Sequence, residues 1–103
     1  MVALAHARGI LVFGATITPF GGSNYATTAH ERLRQQINAF IRTGGAFDGV
    51  IDFDKAIADP ASPAHILPQY DGDHIHPNDA GYQAMANAID LALLNLAPEL
   101  TGR

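Results

Sequence analysis

Apolar residues fall into five groups along the chain, each with its own period. In the opening stretch Met1-Val-Ala-Leu-Ala-His-Ala-Arg8, Leu4 and Ala7 share one helical face, Arg8 suits a helix C-terminus and Gly9 supplies a stop, while nothing caps the beginning. The run Ile10-Leu-Val-Phe-Gly-Ala-Thr16 is apolar on both faces, which predicts a parallel strand buried between helical layers. After the turn-rich Thr18 to Asn24, Thr28 and Glu31 are spaced as a capping box, and Leu33, Ile37, Phe40 and Ile41 follow at helical intervals. That pattern predicts a helix ended by Gly44-Gly45, its apolar stripe inward and Arg32, Arg34, Gln35 and Arg42 on the wet side. A second short strand is read at Gly49-Val-Ile-Asp-Phe53. The last helix starts at Asn78 or Asp79, carries Tyr82, Met85, Ala86, Ile89 and Leu93 on one stripe, and stops before Pro98.

Strand, helix, strand in this order implies a right-handed crossover and parallel pairing, hence an α/β class with about two strands and three helices. Between Asp54 and Pro77 the pattern loses its period, giving a long irregular connection of the kind that carries function. Two parallel strands make a poor sheet on their own, because parallel sheets are buried on both faces and commonly hold about four to six strands. Residues 1–103 therefore read as one unit that forms the C-terminal part of a larger doubly wound domain. Its free strand edges are expected to pair with another copy, as a homo-oligomer, or with a separate N-terminal half. The competing possibility is a small complete domain in which loop residues add an edge strand.

At 103 residues the chain has room for one hydrophobic core, and its 48% apolar and 16% charged residues describe a packed globular protein. The net charge of −4 is unevenly spread: seven of the ten acids lie between Asp48 and Asp79, where Lys55 is the sole basic residue. Such a surface would repel a phosphate backbone, so nucleic acid is not an expected partner. Cysteine is absent, which excludes disulfides, thiolate metal sites and cysteine nucleophiles. No apolar run approaches the roughly 20 residues of a membrane-spanning helix, and the opening residues do not read as a signal peptide.

Asp71-Gly-Asp-His-Ile-His-Pro-Asn-Asp79 concentrates two histidines and three carboxylates in nine residues. An aspartate three residues before a histidine, on a loop just ahead of a helix, can curl back to accept the Nδ1 proton and leave Nε2 free to take one from a nucleophile. Both Asp73 with His76 and Asp71 with His74 have this spacing. Pro77, which stiffens the backbone, and the helix start at Asn78 favour His76. The same residues, with His65 nearby, could instead hold a metal ion, but ligands so close on one loop tend to clash.

Asp73-His-Ile-His-Pro-Asn-Asp-Ala-Gly-Tyr82 resembles the last conserved block of the SGNH hydrolases, also called the GDSL esterase and lipase family. The stretches ending Gly-Ala-Thr-Ile-Thr-Pro-Phe20 and running from Ile41 to Phe53 resemble the preceding βαβ portion, so the similarity extends from about Ala5 to Leu94. The resemblance implies a flavodoxin-like three-layer α/β/α fold, of which this chain is the C-terminal part, and a serine-type carboxylic ester hydrolase needing no cofactor and no metal. It makes His76 the general base and then general acid, and Asp73 the residue that orients it. The substrates implied are small esters, acetyl, short-acyl or lysophospholipid. The family's Gly-Asp-Ser nucleophile block does not occur here, and its Gly-x-Asn-Asp block is matched only by Gly22-Ser-Asn24 followed by Tyr25, which is read as an ordinary turn. Ser23 and Ser62 are the only serines and neither carries a nucleophile signature.

The remaining candidates are weighed against plainer roles. Ile75 is placed to meet an acyl group or to anchor its loop; Phe20 and Tyr70 are placed to border a pocket or to fill the core. His74 reads as an exposed loop residue that could also line the cleft, and His6 and His30 as solvent-facing on their helices.

Overall fold

The computed structural model describes residues 1–96. Helix α1 spans Val2–Ala7 and ends as the glycine predicts: Arg8 caps it, Gly9 takes φ +72°, and the amides of Gly9 and Ile10 donate to the carbonyls of His6 and Ala5 at 3.0 and 2.9 Å. That left-handed residue closes the helix by turning two otherwise orphaned carbonyls back onto the chain. Strands β1 (Phe13–Ala15) and β2 (Gly49–Ile51) pair in parallel, Phe13 opposite Gly49 and Ala15 opposite Ile51. The fold is thus α/β with a parallel pair, although each strand is shorter than its apolar run. Ladder hydrogen bonds still continue outward, from Asp48 to the Val12 carbonyl (2.8 Å) and from Thr16 to the Ile51 carbonyl (3.1 Å).

Helix α2 (Thr28–Thr43) begins one residue earlier than the capping box suggests. Thr27, in extended geometry, is the cap and accepts from the His30 amide at 3.0 Å, while Glu31 turns to Arg34 and Gln35 instead of reaching back. The face α2 presents inward also differs from the expected one. Arg34 and Asn38 are its buried residues, 2% and 0% exposed, whereas Leu33 and Phe40 stand 52% and 55% exposed. The reason lies in what α2 packs against. The end of β1 and the segment after β2 present backbone groups of Ile17, the Pro63 carbonyl and the Asp54 carboxylate, which need polar partners once water is gone. Asn38 accepts from the Ile17 amide (2.7 Å) and donates to its carbonyl (2.9 Å), acting as a one-residue strand partner. Arg34 places all five of its N–H groups: two on Glu31, two on the carbonyls of Ile17 and Pro63, and one on Asp54 at 2.6 Å.

Arg42 is exposed, as expected of the wet side, yet it forks onto Asp52 (2.8 and 2.9 Å) and reaches Asp54 (2.8 Å). The carboxylate-rich segment that lacks local basic residues is therefore neutralised from α2.

Strand β2 stops at Ile51, because Asp52 caps a new helix, α3 (Phe53–Ile57), by accepting from the Lys55 amide. The connection expected to be irregular is instead ordered. After α3, strands β3 (Ala58–Asp59) and β4 (Ser62–Ile66) form an antiparallel hairpin, turned by the Asp59 carboxylate on the Ala61 amide, and a 3-10 turn follows at Pro68–Tyr70. This hairpin is a second two-stranded sheet and does not extend the parallel one. Among the described residues the large hydrophobic side chains that are buried are Ile57 and Ile66, at the two ends of the hairpin segment.

Helix α4 (Asp79–Asn87) starts where expected, with Asn78 as its cap, accepting from the Gly81 amide at 2.9 Å. It ends early. Asp90 accepts from the Ala92 amide and opens a separate 3-10 turn, Leu91–Leu96, so Ile89 and Leu93 do not belong to one continuous stripe with Met85. Tyr82, expected inward, is exposed, and Gly81 is the buried residue of α4. The predicted stop before Pro98 lies outside the described residues.

Candidate functional site

The loop ahead of α4 is closed at its base by the antiparallel bridge between Asp71 and Pro77 and by the Gly72 amide on the His76 carbonyl, 2.9 Å. Asn78 fixes that base, with its amide on the Tyr70 carbonyl (2.8 Å) and its side chain on the Gln69 carbonyl (3.0 Å). The residues between can then form two successive turns in which an aspartate caps the amide three residues on.

Both aspartate–histidine pairs that the spacing allows are present. Asp73 Oδ1 accepts from the amides of His76 (2.7 Å) and Ile75 (3.1 Å), and its Oδ2 lies 2.9 Å from His76 Nδ1. Asp71 does the same for His74, at 2.8 Å to the amide and 2.6 Å to Nδ1. An ionised carboxylate can only accept, so in both rings Nδ1 carries the proton. Those bonds hold the Asp73 carboxyl well below the ordinary carboxylate range, the His76 ring first and then the two amides. His76 Nε2 makes no hydrogen bond among the described residues, and its side chain is 68% exposed. The ring is thus held by its carboxylate but open to solvent on its other side.

The two histidines differ in surroundings. His74 adopts φ +72° and sits against Gly22, itself at φ +88°, where a Cβ would approach the His74 ring to 3.4 Å. It is an exposed loop residue, as expected, and its ring borders a cleft of about 330 Å³ with Ser62, His65 and Asp71. Ser62 Oγ lies 2.9 Å from His65 Nδ1, and Ser23 donates to the Phe20 carbonyl, 2.6 Å; among the described residues neither serine is hydrogen-bonded to His76. No group of three or more histidine and carboxylate side chains converges on one point among the described residues.

Ile75 and Phe20 line one apolar pocket of about 440 Å³ beside the loop. Ile17, Tyr25, His30, Leu33, Arg34 and Ile37 complete its wall, and sequence reasoning assigned none of them to a site. Phe20 meets Tyr25 edge to face, centroids 5.1 Å apart, and Tyr25 stacks on His30 at 4.3 Å. His30, expected to face solvent, is half-buried, with Nδ1 donating to the Tyr25 carbonyl at 2.7 Å. The apolar stripe of α2 was the available signal; it was read as core because helical periodicity reports an apolar face without saying what covers it. Tyr70 is half-buried at the base of the loop, its carbonyl accepting from Asn78.

Chemically, a ring with its Nδ1 proton on a carboxylate and a free Nε2 lone pair is arranged to accept a proton from a hydroxyl and return it to a leaving group. No helix among the described residues is long and apolar enough to cross a membrane. No curated protein matches the chain. The model of the GDSL-like lipase/acylhydrolase family matches residues 1–84, four-fifths of the length and all of the loop just described, and the chain belongs to that family.

Proposed function

We propose that Asp73 and His76 are the proton relay of a carboxylic ester hydrolase, serving a serine hydroxyl that this chain does not itself supply. The observation that carries the reading is the Asp73 carboxylate on His76 Nδ1 at 2.9 Å with Nε2 left open. In the reaction the serine oxygen attacks the ester carbonyl as its proton passes to Nε2. The imidazolium then protonates the departing alcohol as the ester C–O bond breaks, leaving an acyl-serine. Water, deprotonated by the same Nε2, releases the acid. Asp73 stays ionised throughout and stabilises the imidazolium, which its lowered pKa suits. Phe20 and Ile75 meet the substrate, a small ester of the acetyl, short-acyl or lysophospholipid type.

The serine and the oxyanion-stabilising donors would come from a separate N-terminal half paired with this chain. The absence of a Gly-Asp-Ser block, the open edges of the β1–β2 pair and the exposed Leu33 and Phe40 support that part of the reading.

The test is hydrolysis of p-nitrophenyl butyrate by the wild-type chain, His76→Ala and Asp73→Asn, each alone and mixed with a separately expressed N-terminal half that carries a Gly-Asp-Ser block. In the assembled enzyme Asp73→Asn is expected to lower kcat by up to about 10⁴-fold, the loss seen when a triad aspartate is neutralised. Nitrogen-detected NMR of His76 gives a second readout: Nδ1–H dominates in the wild type, and that preference is lost in Asp73→Asn. Equal rates in all three proteins, or a wild-type ring protonated at Nε2, would overturn the relay.

A further inference from the structure

We propose that the second aspartate–histidine pair, Asp71 with His74, is a positioning clamp for the first. It holds the backbone at residue 74 in the conformation that delivers the Ile75 and His76 amides, and the His76 ring, to Asp73. The catalytic consequence rests on the relay reading; the geometric one does not.

Spacing gives the two pairs equal standing, and both are formed, but three observations assign them different tasks. The first is backbone conformation. His74 is the only residue other than glycine with positive φ among the described residues, +72°, a region in which a β-carbon is crowded by the following carbonyl. Such a residue persists only where its surroundings hold it there. Rotation about the N–Cα bond of residue 74 swings Ile75 and His76 relative to Asp73. This φ therefore lets one carboxylate meet both amides, at 3.1 and 2.7 Å, and the His76 ring at 2.9 Å.

The second is what does the holding. Asp71 Oδ1 accepts from the His74 amide at 2.8 Å and Oδ2 from His74 Nδ1 at 2.6 Å, so backbone and ring of the strained residue are tied to one carboxylate. The Asp71 side chain is 15% exposed, against 62% for Asp73. Its backbone is pinned as well, bridged to Pro77 and with its amide on the Pro68 carbonyl at 3.3 Å. The clamp is thus anchored in the frame of the loop, while the relay carboxylate stands out in solvent.

The third is where the His74 ring rests. It lies against Gly22, where a Cβ would come within 3.4 Å of its Cγ and 3.6 Å of its Nδ1. The adjacent Gly21 donates to the Ala64 carbonyl at 2.7 Å, and a Cβ at Gly21 would collide with that same oxygen, so glycine is what seats this turn on β4. The His74 ring therefore ties the loop to a turn remote in sequence. His76 is held by its carboxylate alone, and its Nε2 stays open.

The experiment is nitrogen-detected NMR of the His76 ring in the full chain, with kcat and KM for p-nitrophenyl butyrate measured in the enzyme assembled with an N-terminal half. Asp71→Ala removes both acceptors and leaves the backbone bridge to Pro77 in place; His74→Val puts a β-branched side chain where φ must be positive. Each is expected to lose the Nδ1–H preference of His76 and to lower kcat by up to about 100-fold with KM unchanged. His74→Asn is the rescue: asparagine tolerates the left-handed region and its amide N–H can reach Asp71, so the wild-type His76 signature and kcat should be kept. A role confined to loop stability would shift unfolding midpoints without moving the tautomer. An unchanged His76 tautomer in either Asp71→Ala or His74→Val would overturn the clamp. So would His74→Asn losing hydrolysis with the His76 signature intact, since His74 would then be the base itself. A tautomer that follows residues 71 and 74 in an enzyme indifferent to His76→Ala defeats the relay alone. Hydrolysis that depends on His76, with a tautomer neither substitution moves, defeats the clamp alone.

Discussion

Arg34 shows what a single residue decides. Its guanidinium is 2% exposed, yet charge inside a protein is tolerated only when geometry satisfies every donor, and here Glu31 and Asp54 supply the countercharge. Burial works against its charged form, but the hydrogen bonds to Glu31 and Asp54 outweigh that and raise its pKa. Arg34→Met would leave Asp54 with Arg42 alone and Glu31 with Gln35 alone, and would unpair the carbonyl of Pro63. It is expected to cost about 3–5 kcal/mol in urea unfolding. A cost below about 1 kcal/mol, the value of an exposed pair, would show that the buried network is not formed. Asp73 differs: it is exposed, and its three hydrogen bonds act on the orientation of one ring more than on the stability of the whole. Its pairing with His76 was legible because donor and acceptor lie three residues apart, and a turn brings such residues together with little help from elsewhere.

At the scale of elements, local rules located the starts of α2 and α4 to within a residue, missed α3 altogether, and failed on what α2 and α4 face. For α2 the difference between Thr27 and Thr28 can be measured. Thr27→Ala removes the cap on the His30 amide and is expected to cost about 1 kcal/mol, whereas Thr28→Ala, at an exposed first-turn position, should change stability by less than about 0.5 kcal/mol. Comparable effects from the two substitutions would contradict the observed cap. The hairpin β3–β4 escaped sequence reasoning because β3 is only two residues long and β4 carries Pro63 and His65, so its alternation of burial is not written in strand-forming residues. Its register is held instead by the bonds of Ile57 and Leu67 across its base and by burial of Ile57 and Ile66. The end of α4 escaped for the reverse reason: the apolar stripe runs on past Asn87, but Asp90 diverts the backbone into a new turn.

For the whole molecule, carboxylates tied to arginines set the response to acid. Asp52 is lowered to about 2, chiefly by Arg42, and Glu31 is lowered by its bond to Arg34. Asp48 is lowered first by the Val12 amide, which it accepts at 2.7 Å while also holding His6 of α1. In each case the folded-state value lies below the unfolded one. Their stabilisation is therefore complete above the unfolded values near 4 and is lost as pH falls through the folded values. The urea midpoint is expected to stay level from about pH 7 to about pH 5 as far as these groups are concerned, and then to drop between about pH 4 and about pH 2. Arg42→Gln should lower the midpoint at neutral pH and flatten that drop. An acid response identical in wild type and Arg42→Gln would rule out the Asp52–Arg42 pair as its source.

What the amino-acid sequence determined by itself was what neighbouring residues settle between them: the stop at Gly9, the cap at Asn78, the parallel order of two apolar runs, and the Asp73–His76 turn. Each depends on backbone geometry or on contacts spanning a few positions. The tertiary structure alone decided that Arg34 and Asn38 face inward, that Leu33 and Ile37 wall a pocket with Phe20 and Ile75, and that Arg34 and Arg42 neutralise Asp52 and Asp54. Those outcomes depend on partners from ten to nearly sixty residues away, whose unpaired carbonyls and carboxylates impose a cost that periodicity along one helix does not register.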